Sequence, residues 1–260
     1  MNSRAVRLIA GTVLKESVRR REIYVLVLVA CGLLAVIMRM DFFGLGGLTK
    51  FYREASLQVM GLTTALAVIV LAARQLPREM ENRTIYPLLA RPVRRVEFLL
   101  GKLLGVLLAG IFCFALFMIV FLAGSWRMQA DVPWVLFIQH IYLQILMLAI
   151  LATLGFLLSL LLHTDAAITI CALLFLLSSV SSMMLVNLYG YLDGFGQRVV
   201  LFLTYFLPQL TLLDVSEKAV HAEIWPPLGG AVLLALSAYA GVYIGIYFLC
   251  ALALFCRRAL

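Results

Sequence analysis

The chain has 260 residues, 64% hydrophobic and 13% charged, with a formal net charge of +8. A soluble domain is about half apolar and about a quarter charged, and surface-to-volume scaling gives a chain of this size no soluble core that could hide the excess. An ordinary soluble enzyme is therefore excluded, and because most of the basic residues sit beside apolar runs, anionic headgroups and topology account for the charge better than nucleic acid does. The expectation is an all-α membrane protein, a single transmembrane domain over residues 1–260.

Residues 3–21 open the chain as a basic amphipathic helix. Val6, Ile9, Ala10, Val13 and Ser17 recur at helical spacing, while Arg4, Arg7, Lys15, Arg19 and Arg20 crowd much of the remainder. Such a helix suits the headgroup layer. The next apolar run passes Cys31 and continues through Ile37, so it is read as an uncleaved first span rather than a signal peptide.

A span needs about 20 apolar residues at about 1.5 Å of rise each. Six runs qualify or come near: 23–38, 57–73, 99–123, 134–162, 166–190 and 228–255. His163-Thr164-Asp165 is the best place to break the long stretch between the fourth and fifth. Segment 191–227, with Pro208 and Pro226-Pro227, carries an apolar piece too short to span and reads as a re-entrant hairpin on the outer face. Counting Lys and Arg in alternate loops gives fifteen on one side and six on the other. The positive-inside rule then places both termini in the cytoplasm, in the inner (cytoplasmic) membrane of the cell.

The loop 74–102 holds seven of the 21 basic residues. Thr84 is a candidate helix N-cap, Pro87 is tolerated in a first turn, and Pro92 stops the helix. The result is a short helix bearing Ile85, Leu88 and Leu89, rimmed by Arg83, Arg91, Arg94 and Arg95. On spacing alone it fits equally a docking knob for a protein socket and a basic loop that only fixes topology.

The run MENRTIYPLLARPVRRVEFLLGK resembles the first cytoplasmic loop of ABC-2-type transporter permeases. Glu81, Thr84, Leu88, Leu89, Pro92, Val93, Arg95, Glu97, Gly101 and Lys102 carry the resemblance, while Arg83 stands where that family often has glycine and Pro87 interrupts the leucines. The resemblance implies a coupling helix that docks in a separate cytoplasmic ABC ATPase, with Glu81, Arg83, Thr84, Ile85, Pro87, Leu88, Leu89, Arg91, Pro92, Arg94, Arg95, Glu97 and Lys102 as coupling residues. It implies two ATPase copies, a second permease copy or paralogue forming a homodimer or heterodimer, room for a periplasmic or other extracytoplasmic accessory protein, and export as the direction. The chain has no GxxxxGK[ST] phosphate loop, so ATP and Mg belong on the partner and this chain is expected to bind no cofactor and catalyse nothing itself.

The other constellations read as structure. Gly101/Gly105 and Gly241/Gly245 are GxxxG pairs for close helix packing, within or between protomers. Ser178, Ser179, Ser181 and Ser182 can line a polar path, or more simply bond their own backbone. His163 and Asp165 form a turn and cap in preference to a proton relay, and the five cysteines read as small buried hydrophobes. The scattered histidines and cysteines spell no metal site. An intramembrane enzyme and a non-catalytic membrane anchor remain as rivals. The first rests on His163/Asp165 alone, and the second predicts a cytoplasmic partner without transport.

Overall fold

The computed structural model describes residues 3–19, 21–39, 48–81, 94–127, 133–187, 189–206, 208–221 and 225–257, and every regular element among them is helical. The long helices are α1 (Ser3–Val18), α2 (Arg21–Arg39), α3 (Leu48–Glu81), α4 (Arg95–Arg127), α5 (Trp134–Leu161) and α6 (Thr164–Asn187). A 3-10 turn (Tyr189–Tyr191), α7 (Gly194–Phe206), a second 3-10 turn (Leu210–Leu213) and α8 (Ser216–Val220) lead to α9 (Gly230–Arg257). Among the described residues five helices, α3, α4, α5, α6 and α9, contain stretches long and apolar enough to cross a membrane.

The helices outrun the apolar runs that mark them. α3 extends through Arg74 to Glu81, and α4 begins at Arg95, so the basic loop expected at 74–102 contributes its first eight residues and its last eight to helices. Charged residues at span ends keep helical geometry because the backbone bonds of a continuing helix are already made. α5 and α6 part at Leu162 and His163, as expected, and Asp165 stands in the first turn of α6, where an acidic group complements the helix dipole. His163 is exposed, and its carbonyl accepts from the Ala167 N–H at 2.9 Å, so it stands at the start of α6.

α5 is the hub. It packs on α3, α4, α6 and α9, and 67% of its apolar stretch is buried within the chain, against 17% for α9. Its burial runs all round the helix from Leu143 to Phe156, so it has no polar face to show. At the end of α5 nearest Trp134, an aromatic ladder ties three helices together. Tyr52 of α3 stacks on Phe121 of α4 with centroids 6.2 Å apart, and Phe121 stacks on Phe137 of α5 at 5.3 Å. Gly124 admits Tyr52, since a Cβ there would overlap the phenol ring.

α1 buries Val6, Ile9, Ala10, Val13 and Ser17, the five residues of the stripe read from the sequence. The partner of that stripe differs from the expectation: it lies against α4, not against headgroups. The reason is Gly101 and Gly105. A Cβ on Gly101 would stand 2.9 Å from Ile9 Cβ and 3.2 Å from the Val6 carbonyl oxygen, and one on Gly105 would overlap Val13. The absence of side chains lets the backbones come together. Gly241 and Gly245 differ: a Cβ on either meets nothing within 4 Å, so among the described residues this pair packs no helix of its own chain. Among the cysteines, Cys113 and Cys171 are buried as expected, whereas Cys250 and Cys256 are exposed because α9 lies at the edge of the bundle.

Overpacking a closed seam costs about 1–3 kcal/mol. Gly105→Leu is therefore expected to lower the thermal unfolding midpoint of the purified monomeric chain, and Gly241→Leu to leave it unchanged. Equal effects of the two would contradict the α1–α4 seam.

Candidate functional site

The elements that flank the basic loop converge at one end of the bundle. Arg94 is the N-cap of α4: its carbonyl accepts from the Phe98 N–H at 3.1 Å, and its own N–H donates to Glu97 Oε2 at 3.3 Å. A glutamate three residues past the cap, reaching back to the cap N–H, is half of a capping box. Glu97 is only 3% exposed, and its charge also faces the positive end of the α4 dipole. The chain leaving the loop is thus locked into helix within its first turn.

Arg95 reaches across to α9. Its Nη1 donates to the Cys256 carbonyl at 2.9 Å and the Phe255 carbonyl at 3.4 Å, two of the last carbonyls of that helix. Those groups have no partner inside α9, so a guanidinium there serves as both cap and counter-charge. One turn on, Phe98 stacks on Phe255 with centroids 5.9 Å apart and planes 16° from parallel. Lys102, 4% exposed, pairs with the Glu79 carboxylate of α3, and its ammonium sits 5.7 Å from the Phe98 ring centroid. Gly101 meanwhile faces α1. The first two turns of α4 therefore bind the body of α1 and the C-terminal ends of α3 and α9.

Of the residues assigned to coupling, Arg94, Arg95, Glu97 and Lys102 stand in this cluster, and Glu81 closes α3. Arg83, Thr84, Ile85, Pro87, Leu88, Leu89, Arg91 and Pro92 lie outside the described residues. Arg95 had been placed on the rim of the loop, yet its guanidinium engages α9 instead. Glu79 was missed altogether. Its only signal in the sequence is one acid near the end of a span, 23 residues from a lysine at the start of the next.

The family model described as ABC-2 family transporter protein matches residues 9–260. The chain belongs to the ABC-2 transporter family. It is the membrane component of such a transporter, a multi-pass membrane protein. Members of this family generally pair with an ABC ATPase and typically lack an ATPase site of their own. No curated protein matches the sequence significantly. Among the described residues of this ABC-2 component, no three His, Cys, Asp or Glu side chains gather as metal ligands would.

Removing one partner of a largely buried ion pair weakens the compensation of the other charge, at a cost of up to about 3–5 kcal/mol where burial is complete. Lys102→Met alone should thus destabilise the chain markedly, and Lys102→Met combined with Glu79→Leu should recover much of the loss in a thermal or denaturant melt. A double variant as unstable as the sum of the singles would show that the pair acts independently.

Proposed function

We propose that this chain is the permease subunit of an ATP-driven exporter, with six spans, α2 being the first, and with both termini in the cytoplasm of a cell whose inner membrane holds it. Residues 82–93, between the end of α3 and the cap of α4, form the coupling helix that docks in the cleft of a separate ABC ATPase. Two permeases and two ATPases make the transporter, with ATP and Mg held by the ATPases. The family match over residues 9–260 is the observation that carries this reading. The charge distribution supports the orientation, because it places the basic loop and both termini on the positive side.

The cluster at the start of α4 supports the coupling role. A push on 82–93 enters α4 at Arg94, and there Arg95, Phe98, Gly101 and Lys102 connect it to α9, α1 and α3. Packed helices shift as units and not by continuous deformation. ATP-driven closure of the ATPases then rocks several helices together. Segment 191–227 is the re-entrant outer element of this arrangement.

Leu88→Asp places a charge in the proposed apolar contact. Capture of the ATPase on the tagged permease should fall at least tenfold while membrane insertion is unchanged. Arg94→Ala should weaken capture far less, since a solvated rim charge contributes at most about 1 kcal/mol. Full capture by the Leu88→Asp chain would move the docking site elsewhere.

A further inference from the structure

A cavity of about 240 Å³ lies among α3, α5, α6 and the Leu210–Leu213 turn. Its floor is α5, from which His140 and Gln144, one turn apart, contribute to the lining. Both are 1% exposed. Neither imidazole nitrogen of His140 nor the amide nitrogen of Gln144 has a hydrogen-bond partner among the described residues. Leaving such groups dry and unpaired in a low-dielectric interior is costly. Polar side chains inside a span, aimed at a cavity, mark a binding path by default. Asp214 stands opposite, its Oδ1 4.0 Å from His140 Nδ1, too far for a direct bond.

The turn that closes the cavity is held by serines and not by apolar packing alone. Ser178 Oγ donates to the Pro208 carbonyl at 2.8 Å and accepts from the Leu210 N–H at 2.9 Å. The Ser182 and Thr211 hydroxyls lie 2.6 Å apart, and the Tyr239 hydroxyl accepts from the Gln209 N–H at 2.8 Å. This turn is seated on side chains of α6 and α9 and presents Asp214 to the cavity.

The donor and acceptor set selects the ligand. An anion would meet the Asp214 carboxylate, and a cation that paired with Asp214 would offer no acceptor to the Gln144 amide N–H groups or the imidazole N–H of His140. A hydroxyl can do both jobs. With its oxygen about 2.8 Å from each atom, it spans the 4.0 Å gap between His140 and Asp214 at an angle of about 90°. The remaining walls, Leu57, Leu62, Met147 and Phe175 among them, are apolar. At about 240 Å³ the cavity has room for several water-sized groups, enough for a small polyol head.

We propose that this cavity binds the neutral, hydroxyl-bearing head of an amphipathic molecule, with Gln144 and His140 as its hydrogen-bonding residues and Asp214 as the acceptor. On the permease reading above, that molecule is the transported substrate.

The test is saturable binding of radiolabelled 1-O-octylglycerol to the full chain in phosphatidylcholine nanodiscs, with empty nanodiscs as background and octyl phosphate and octylammonium as matched charged probes. Stoichiometric binding is expected, at least tenfold tighter than for either charged probe. Gln144→Leu should weaken it at least tenfold without lowering the melting midpoint, because the lost amide nitrogen serves no partner among the described residues. Leu62→Trp, which fills the cavity and removes no polar atom, should abolish it. Uptake equal to empty nanodiscs, equal binding of all three probes, or undiminished binding by both variants would overturn the proposal and leave the cavity to water. No nucleotide or ATPase enters this measurement. Selective binding with failed ATPase capture removes the transporter reading and keeps the site, and the reverse pair of results does the opposite.

Discussion

The first three turns of α4 are the constraint on which the rest of the bundle depends. At that point Gly101 and Gly105 bring α1 to backbone contact, Lys102 binds Glu79 of α3, and Arg95 and Phe98 close the end of α9. The contacts differ in kind, and together they face three neighbours, α1, α3 and α9. Five residues spread over three turns of one helix can do this because successive side chains point about 100° apart. Burial strengthens the Lys102 contact, since that residue is 4% exposed, whereas the Arg95 bond to the end of α9 is exposed to solvent.

The opposite half of the bundle is organised by α5 and the turn at 210–213. α5 brings apolar side chains to four neighbours and has only a few polar ones, of which His140 and Gln144 are buried without partners among the described residues. The serines of α6 give the turn a fixed seat through side-chain bonds to its backbone. Ser179, Ser181 and Ser182 also donate to carbonyls of their own helix, so the same polar row serves local satisfaction and tertiary attachment. The two ends thus differ in character. One is a set of joints among helix termini, and the other is a polar cavity closed by a short segment.

Periodicity made much of this legible. The apolar stripe of α1 fell at the five positions that the structure buries, because a helical repeat of 3.6 residues is unambiguous over four turns. The break at His163 was readable because a span cannot exceed the bilayer. What the stripe packs against was not readable, since amphipathicity names a face and never its partner. The GxxxG pairs show the same limit: identical spacing gives a closed seam at Gly101 and an open surface at Gly241. The Lys102–Glu79 pair and the joining of Ser178 to Pro208 connect residues far apart in sequence, and only the folded path of the chain brings them together. The coupling residues between Arg83 and Pro92 rest on the family motif, as they lie outside the described residues.

The claim that governs the whole account is that this ABC-2 membrane component works as the permease half of an ATP-driven machine. Gentle extraction from the native membrane followed by native mass spectrometry of the intact complex tests it most directly. The account predicts two copies of a permease subunit, both this chain or one a paralogue, bound to two copies of a nucleotide-binding subunit. This chain found alone, or with a partner that binds no nucleotide, in a detergent shown to preserve other membrane complexes, would contradict it.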